Sequence, residues 1–273
     1  MLDMTERNTA HSLAPEISRW RWWIHLLLIG GYIVPRIVLS LQFPQNRPAL
    51  SHSTGGLLVV CAIELGIFAL VFALACLASQ ASRDQLFLRW RPGWWVIPLG
   101  LGYSLAIRLA AGMVVFLVIF VLIGSHVVTP AAAQDFIAAK RPDMEKLVDL
   151  EAMRHNPAYF WLTVTVVSFV VAGLREEMWR AGTLAGLQAL WPRAFQSLGG
   201  QMTAVALIAV LFGAGHLPLG VIGAVVAGLL GLFLGIIIVL HRSIWPAVIA
   251  HGMLDATTFA LAPFALEQLR RLH

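Results

Sequence analysis

Three short polar groups interrupt the apolar second half of the chain. They are Glu176, Glu177 and Arg180 in "EEMWR", Phe212 and His216 in "FGAGH", and His251 and Asp255 in "HGMLD". Glu176 and Arg180, Phe212 and His216, and His251 and Asp255 are each four residues apart, with Glu177 three before Arg180. On a helix, residues so spaced share one face. The types that recur, carboxylate and imidazole, are those that move protons or bind metals. Hydrolysis of a peptide bond needs both an activated water and a place for the developing oxyanion. Each group also has a structural reading. Glu177 and Arg180 can form an ion pair, and a single histidine in a span commonly serves a helix–helix hydrogen bond. Together, two adjacent acids, two histidines and a third acid inside apolar segments are costly as decoration. If Glu177 pairs with Arg180, Glu176 is the freer carboxylate.

The elements that must carry these groups are membrane helices. The chain has 273 residues, is 59% hydrophobic and 12% charged, and has a mean hydropathy of +0.80. Soluble domains run at about 25% charged residues. Apolar runs at roughly 20–43, 55–79, 94–124, 158–190, 201–217, 219–240 and 243–264 predict an all-α, polytopic membrane helical bundle of about seven, six to eight, transmembrane helices. Pro35 is expected to kink the first run, and the third is longer than a span needs, so it is tilted, broken or projecting. Residues 1–19 read as a polar tail, 20–125 as N-terminal spans, 126–157 as an extramembrane excursion with short helices, 158–264 as the membrane core that carries the three polar groups and 265–273 as a C-terminal tail.

The formal charge is +5, and most basic residues are arginines near the ends of runs, where they orient spans. That distribution argues against a nucleic-acid partner and points to membrane lipid. Arg7, Arg19 and Arg21 before the first run and Arg83, Arg89 and Arg91 before the third, against Arg47 between the first and second, predict a cytoplasmic N-terminus. The first run has the length of a span and no small-residue cleavage site, so no cleaved signal is expected. Cys61 and Cys76 lie in one run, ~22 Å apart at helical rise, and cannot bridge within it.

Gly220, Gly223, Ala224, Ala227, Gly228, Gly231 and Gly235 repeat at small-residue spacing in the sixth run. This predicts a close helix-packing face. Arg36, Glu64 and Arg108 read as structural charge partners, His25 as an interface residue among tryptophans, and His241 and Arg242 as residues reaching the headgroups.

The three motifs, as EExxxR, FxxxH and HxxxN/D in this order, with "SIWPAVIAHGMLDA" leading into the third, resemble the CPBP (ABI) family of CAAX prenyl endopeptidases type II and their prokaryotic relatives. The resemblance spans roughly 158–260 and implies an intramembrane endopeptidase, integral to a prokaryotic cytoplasmic membrane, acting on membrane-associated, prenylated or hydrophobic peptides. It implies Glu176 as general base, His216 as the residue holding the water, and His251 and residue 255 at the oxyanion region. Glu177, Arg180 and Phe212 support them. The family has been described as metallo-type and as metal-free. The metal-free reading, with no cofactor, is the one expected here. The alternative is zinc on Glu176, His216, His251 and Asp255. Two other readings are a proton-coupled transporter and a catalytically silent membrane scaffold of the same fold. No inverted repeat supports the first, and the filled motif positions argue against the second.

Asp255 departs from the asparagine of the pattern. An ionised Asp cannot donate to an oxyanion. It could be protonated, could orient His251 or an arginine, or could ligate a metal.

Overall fold

A computed structural model describes residues 18–42, 51–140 and 147–272. The tail residues 1–17, Arg47 and Lys146 therefore lie outside the described residues, as do the side chains of Arg36 and Lys140. The described residues are helical, without strands. Helices α1 (Arg19–Gly31) and α2 (Val34–Gln42) are the two halves of the first run. They are followed by α3 (Thr54–Ser79), α4 (Val96–Gly124), α5 (Pro130–Lys140) and α6 (Leu150–His155). The remainder is α7 (Pro157–Leu190), α8 (Leu198–Gly215), α9 (Gly220–His241) and α10 (Trp245–Leu272).

Six helical segments are long and apolar enough to cross a membrane. Together with the broken first run they make the all-α bundle that the sequence predicts. The first run breaks at Tyr32 and Ile33, and Pro35 lies in the first turn of α2 rather than bending one continuous helix. The third run is one unbroken helical span, Gly93–Gly124. The last helix continues to Leu272, through the segment expected as a tail.

Local chemistry sets the ends. Ser53 Oγ accepts from the Gly56 N–H at 3.1 Å to start α3, and Gln80 closes it in the left-handed region at φ 51°. Asn156 Oδ1 accepts from the Ala158 and Tyr159 N–H groups, each at 3.1 Å, and Pro157 opens α7. Its amide also donates to Thr54 Oγ1 at 3.0 Å, tying the starts of α3 and α7 together. Outside the spans, Asp149 caps α6 by accepting from Ala152 N–H at 2.8 Å and pairs with His52. Burial raises its proton affinity, but these bonds outweigh it and hold the carboxyl below its ordinary range.

At the other rim, Arg19 Nη2 donates to Leu190 O at 2.9 Å and Arg21 Nε to Ala78 O at 2.6 Å. The start of α1 thus meets the ends of α3 and α7. His25, expected at the interface, is instead fully buried. Its ring lies 3.0 Å from Gly182 O on α7 and 3.0 Å from Ser79 Oγ on α3. Gly182 and Gly186 let α1 lie close against α7, since a β-carbon at Gly186 would stand 3.1 Å from Leu26 and one at Gly182 3.2 Å from Ile29. A buried imidazole between three helices needs such polar partners. His241 accepts or donates a 2.8 Å bond with Tyr103 on α4, a partner within the protein rather than a headgroup.

The small-residue run on α9 packs as its spacing predicts. A β-carbon on Gly213 of α8 would stand 2.7 Å from Ala224 O, and one on Gly235 would stand 2.6 Å from Val205. The two backbones therefore pack at a distance only glycine permits. Cys61 and Cys76 are unbridged.

The second half of α7 is α-helical, but residues Thr163–Leu174 form a π-helical stretch. Ser168 Oγ reaches back five residues to Thr163 O at 2.9 Å. Thr163, Ser168 and Gly173, every fifth residue, are buried, so the small residues follow the wider period. A β-carbon at Gly173 would lie 3.1 Å from Val248 O, so this face lets α10 approach closely.

Candidate active site

The apolar interior is divided in two. One cluster holds Phe68 and Phe72 of α3, Trp179 and Leu184 of α7, and Ala247 and Val248 of α10. The other holds Leu57 and Cys61 of α3, Tyr159 and Val164 of α7, and Ala256 and Phe259 of α10. Each of these helices passes from one cluster to the other through charged residues: Glu64 on α3, Arg175, Glu176 and Glu177 on α7, and His251 and Asp255 on α10. The sequence places polar groups in separate runs; the fold collects them in one layer.

Glu177 is fully buried, and its Oε1 takes both Arg180, three residues on, and His251 Nδ1 at 2.9 Å. The carboxylate is an acceptor, so Nδ1 donates, and the ring is held with Nε2 turned outward. That Nε2 lies 3.9 Å from Glu176 Oε2 and 3.7 Å from Asp255 Oδ2. Both carboxylates therefore face one nitrogen, beyond direct hydrogen-bond reach and within one bridging molecule of it. Glu177, Arg180 and His251 have side-chain exposures of 0%, 2% and 4%, whereas Glu176 and Asp255 retain 16% and 26%. The two groups facing Nε2 are the ones open to solvent or substrate.

Phe212 joins the second motif to the first. Arg180 Cζ stands 4.3 Å above its ring, and the His216 ring centroid lies 4.5 Å away. His216 Nδ1 donates to Phe212 O at 2.8 Å, which fixes the imidazole against its own helix end. His216 also lies within electrostatic range of Glu176. Gly231 of α9 opens the space above, with a β-carbon position 3.0 Å from Phe212 and 3.6 Å from Arg180 Nη2. Arg180 Nε and Nη2 and Glu177 Oε2 are buried without a hydrogen bond. Arg180 Nη1 forms an ion pair with Glu177 Oε1.

Two features escaped the sequence reading. Glu176 is not the unpaired acid: its Oε1 accepts from Arg175 Nη2 at 3.1 Å, and Arg175 also pairs with Glu64. Glu64 is thus a charge partner, as expected, and it links α3 to the acid. The clue was Arg175 directly before the acids, with Glu64 in another run. The arginine near Asp255 is Arg108, on a helix outside the three motifs. Arg108 donates to Ser104 Oγ at 2.7 Å, to Met253 O at 3.0 Å, to Leu254 O at 2.8 Å and to Thr257 Oγ1.

Among the described residues, no three His, Cys, Asp or Glu side chains gather closely enough to hold a metal ion.

Residues 157–257 match the family described as type II CAAX prenyl endopeptidase Rce1-like. This Rce1-like segment contains all three motifs and is consistent with the CPBP family. It runs from the first residue of α7 to just beyond Asp255, while Glu64, His25 and Arg108 lie outside it. The match supports a protease-type enzyme, and with the apolar helices it makes the chain an integral membrane protein. No curated protein and no solved structure matches the chain.

Proposed function

We propose that the chain is a metal-free intramembrane endopeptidase in which Glu176 activates water. The observation that carries this is the outward Nε2 of His251, anchored behind by Glu177 at 2.9 Å and faced by Glu176 at 3.9 Å. Glu176 takes a proton from water, and the water oxygen adds to the peptide carbonyl. His251 Nε2, when protonated, donates to the resulting oxyanion, with His216 orienting the water. The proton held by Glu176 passes to the amine nitrogen as the C–N bond breaks. Arg175 keeps the base aligned, and Arg180 with Phe212 keeps Glu177 and His216 in place. Asp255, 3.7 Å from the same nitrogen, favours the protonated ring by its charge and is in turn held within reach of Arg108.

Substrates are membrane-associated or hydrophobic peptides, prenylated ones included, because the scissile bond must reach a layer between two apolar clusters. The arginine-bearing rim, with Arg19, Arg21, Arg83, Arg89, Arg91 and Arg193, faces the cytoplasm of a prokaryotic membrane.

The test is cleavage of a membrane-peptide set by the purified protein in liposomes, with fragments read by mass spectrometry. Glu176→Gln should lower the rate about 10²–10⁴-fold while the melting temperature holds. Equal fragmentation by wild type and variant ends the assignment of Glu176 as base.

A further inference from the structure

The loop between α3 and α4 is clasped to the head of α10 by three consecutive carbonyls. Phe87 O accepts from Ile244 N–H at 2.9 Å, Leu88 O from Trp245 Nε1–H at 3.0 Å, and Arg89 O from Ser243 Oγ at 2.8 Å. Phe87 adopts a left-handed φ of 57°, which turns the loop back on itself. Held this way, the loop borders an open surface pocket of about 590 Å³ lined by Arg83, Leu88, Arg89, Trp90, Arg91 and Trp245. One wall is aromatic, with the Trp90 and Trp245 rings 5.2 Å apart. The other is cationic. Asp84 holds Arg89 at 2.8 Å and Arg91 at 3.0 Å, while Arg83 has no acidic partner among the described residues. Three cations against one carboxylate, 3 − 1, leave a formal +2.

The depth is set by the neighbouring tryptophans. Trp94 and Trp95 are stacked at 3.9 Å and expose 69% and 50% of their surface, as residues do at a headgroup layer. Guanidinium forks match phosphate oxygens in pairs, and basic clusters at this depth attract anionic lipid.

We propose that this pocket binds the phosphate headgroup of an anionic phospholipid. The arginines take the phosphate, and Trp90, Trp245 and Leu88 cover the glycerol and upper acyl chains. The lipid then sits at the head of the helix that bears His251 and Asp255, joined to it by the three-carbonyl clasp. The site lies outside the matched segment except for Trp245, and it is independent of the proteolytic reading.

Delipidated full-length protein in neutral detergent is titrated with dioleoyl-phosphatidylglycerol, dioleoyl-phosphatidylcholine or inorganic phosphate, and bound species are counted by native mass spectrometry. Phosphatidylglycerol should bind at least tenfold more tightly than phosphatidylcholine. Arg83→Gln, which strands no acid, should weaken it about fivefold, and R83Q/R91Q about 25-fold. Arg193→Gln, on the same rim, should leave binding unchanged. Melting temperatures are read alongside, and Arg83→Gln decides if the double variant does not fold. Equal binding of both lipids, unchanged binding in Arg83→Gln, or an equal loss in Arg193→Gln overturns the site. Displacement of the lipid by equimolar phosphate overturns the lipid assignment in favour of a free anion.

Discussion

Helices α4 and α7 look alike as sequence and behave as opposites. The spans that contain them run 32 and 34 residues, and the 18-residue windows that qualify them have mean hydropathies of 2.8 and 1.7. The more apolar one keeps none of its most apolar window inside the protein, whereas the less apolar one buries 28%. In water the order would be reversed. In a bilayer, lipid tails are as good a neighbour for leucine as another helix, so apolarity gives no reason to be inside. Carboxylates and guanidiniums supply that reason, because they need partners that lipid cannot offer. Helix α7 has Arg175, Glu176, Glu177 and Arg180 and sits among α1, α3, α8, α9 and α10. Helix α4 has Arg108, which draws only its first half onto α10, and the residues beyond are exposed.

The strongest way to break this contrast is to remove the polar anchor of α7. Glu177→Gln strands Arg180 and frees His251 Nδ1, and should cost about 3–5 kcal/mol in chemical unfolding along with nearly all activity. A stable, active variant would mean that packing alone seats the helix. The next largest effect concerns distance rather than charge. Gly213→Ala forces a methyl to within 2.7 Å of Ala224 O, a backbone atom that cannot swing aside. Helices α8 and α9 should part, at a cost of about 1–3 kcal/mol by thermal denaturation, and cleavage should fall as His216 shifts. An unchanged melting curve would show that the close approach is not needed.

Asp255→Asn sharpens the comparison within the layer. An orienting or protonated Asp255 leaves activity within about tenfold, with an altered pH–rate profile and no response to chelators. Severe loss, with wild-type inhibition by a chelator that zinc reverses, would make Asp255 a ligand and replace the metal-free mechanism. The smallest effect belongs to α4. Leu109→Ala, at a side chain 64% exposed, should alter stability by no more than about 0.5 kcal/mol. A loss above 2 kcal/mol would show that this face has a protein partner.

Much of this was legible because membrane segments are coded by run length and the three motifs by helical spacing. Phe212 and His216 share a face as four-residue spacing requires, and the glycine rows of α9 meet α8. Pairing across runs was not legible. Nothing local to Arg175 names Glu64, and nothing near Arg108 names the Met253 and Leu254 carbonyls, since such partners are chosen by helix order in space. His25 was misread for the same reason: its tryptophan neighbours in sequence suggest an interface, while its neighbours in the fold are Ser79 and Gly182. The π-helical stretch is not legible because "TVTVVSFVVAGL" is apolar nearly throughout and marks no period of its own.

That stretch has a consequence for how the chain tolerates insertion and deletion. Successive residues of an α-helix are turned by about 100°. A loop can lose a residue and close the gap, but Thr163–Leu174 stands between a capped start at Asn156 and an ion-paired site at Arg175. Dropping one residue there would rotate the acids by that angle away from His251, unless the wide turns tightened toward ordinary helix and absorbed the loss. Adding one would do the reverse. The stretch therefore acts as a phase-setting gauge, in which the number of residues between Asn156 and Glu176 is under tighter constraint than most of their identities.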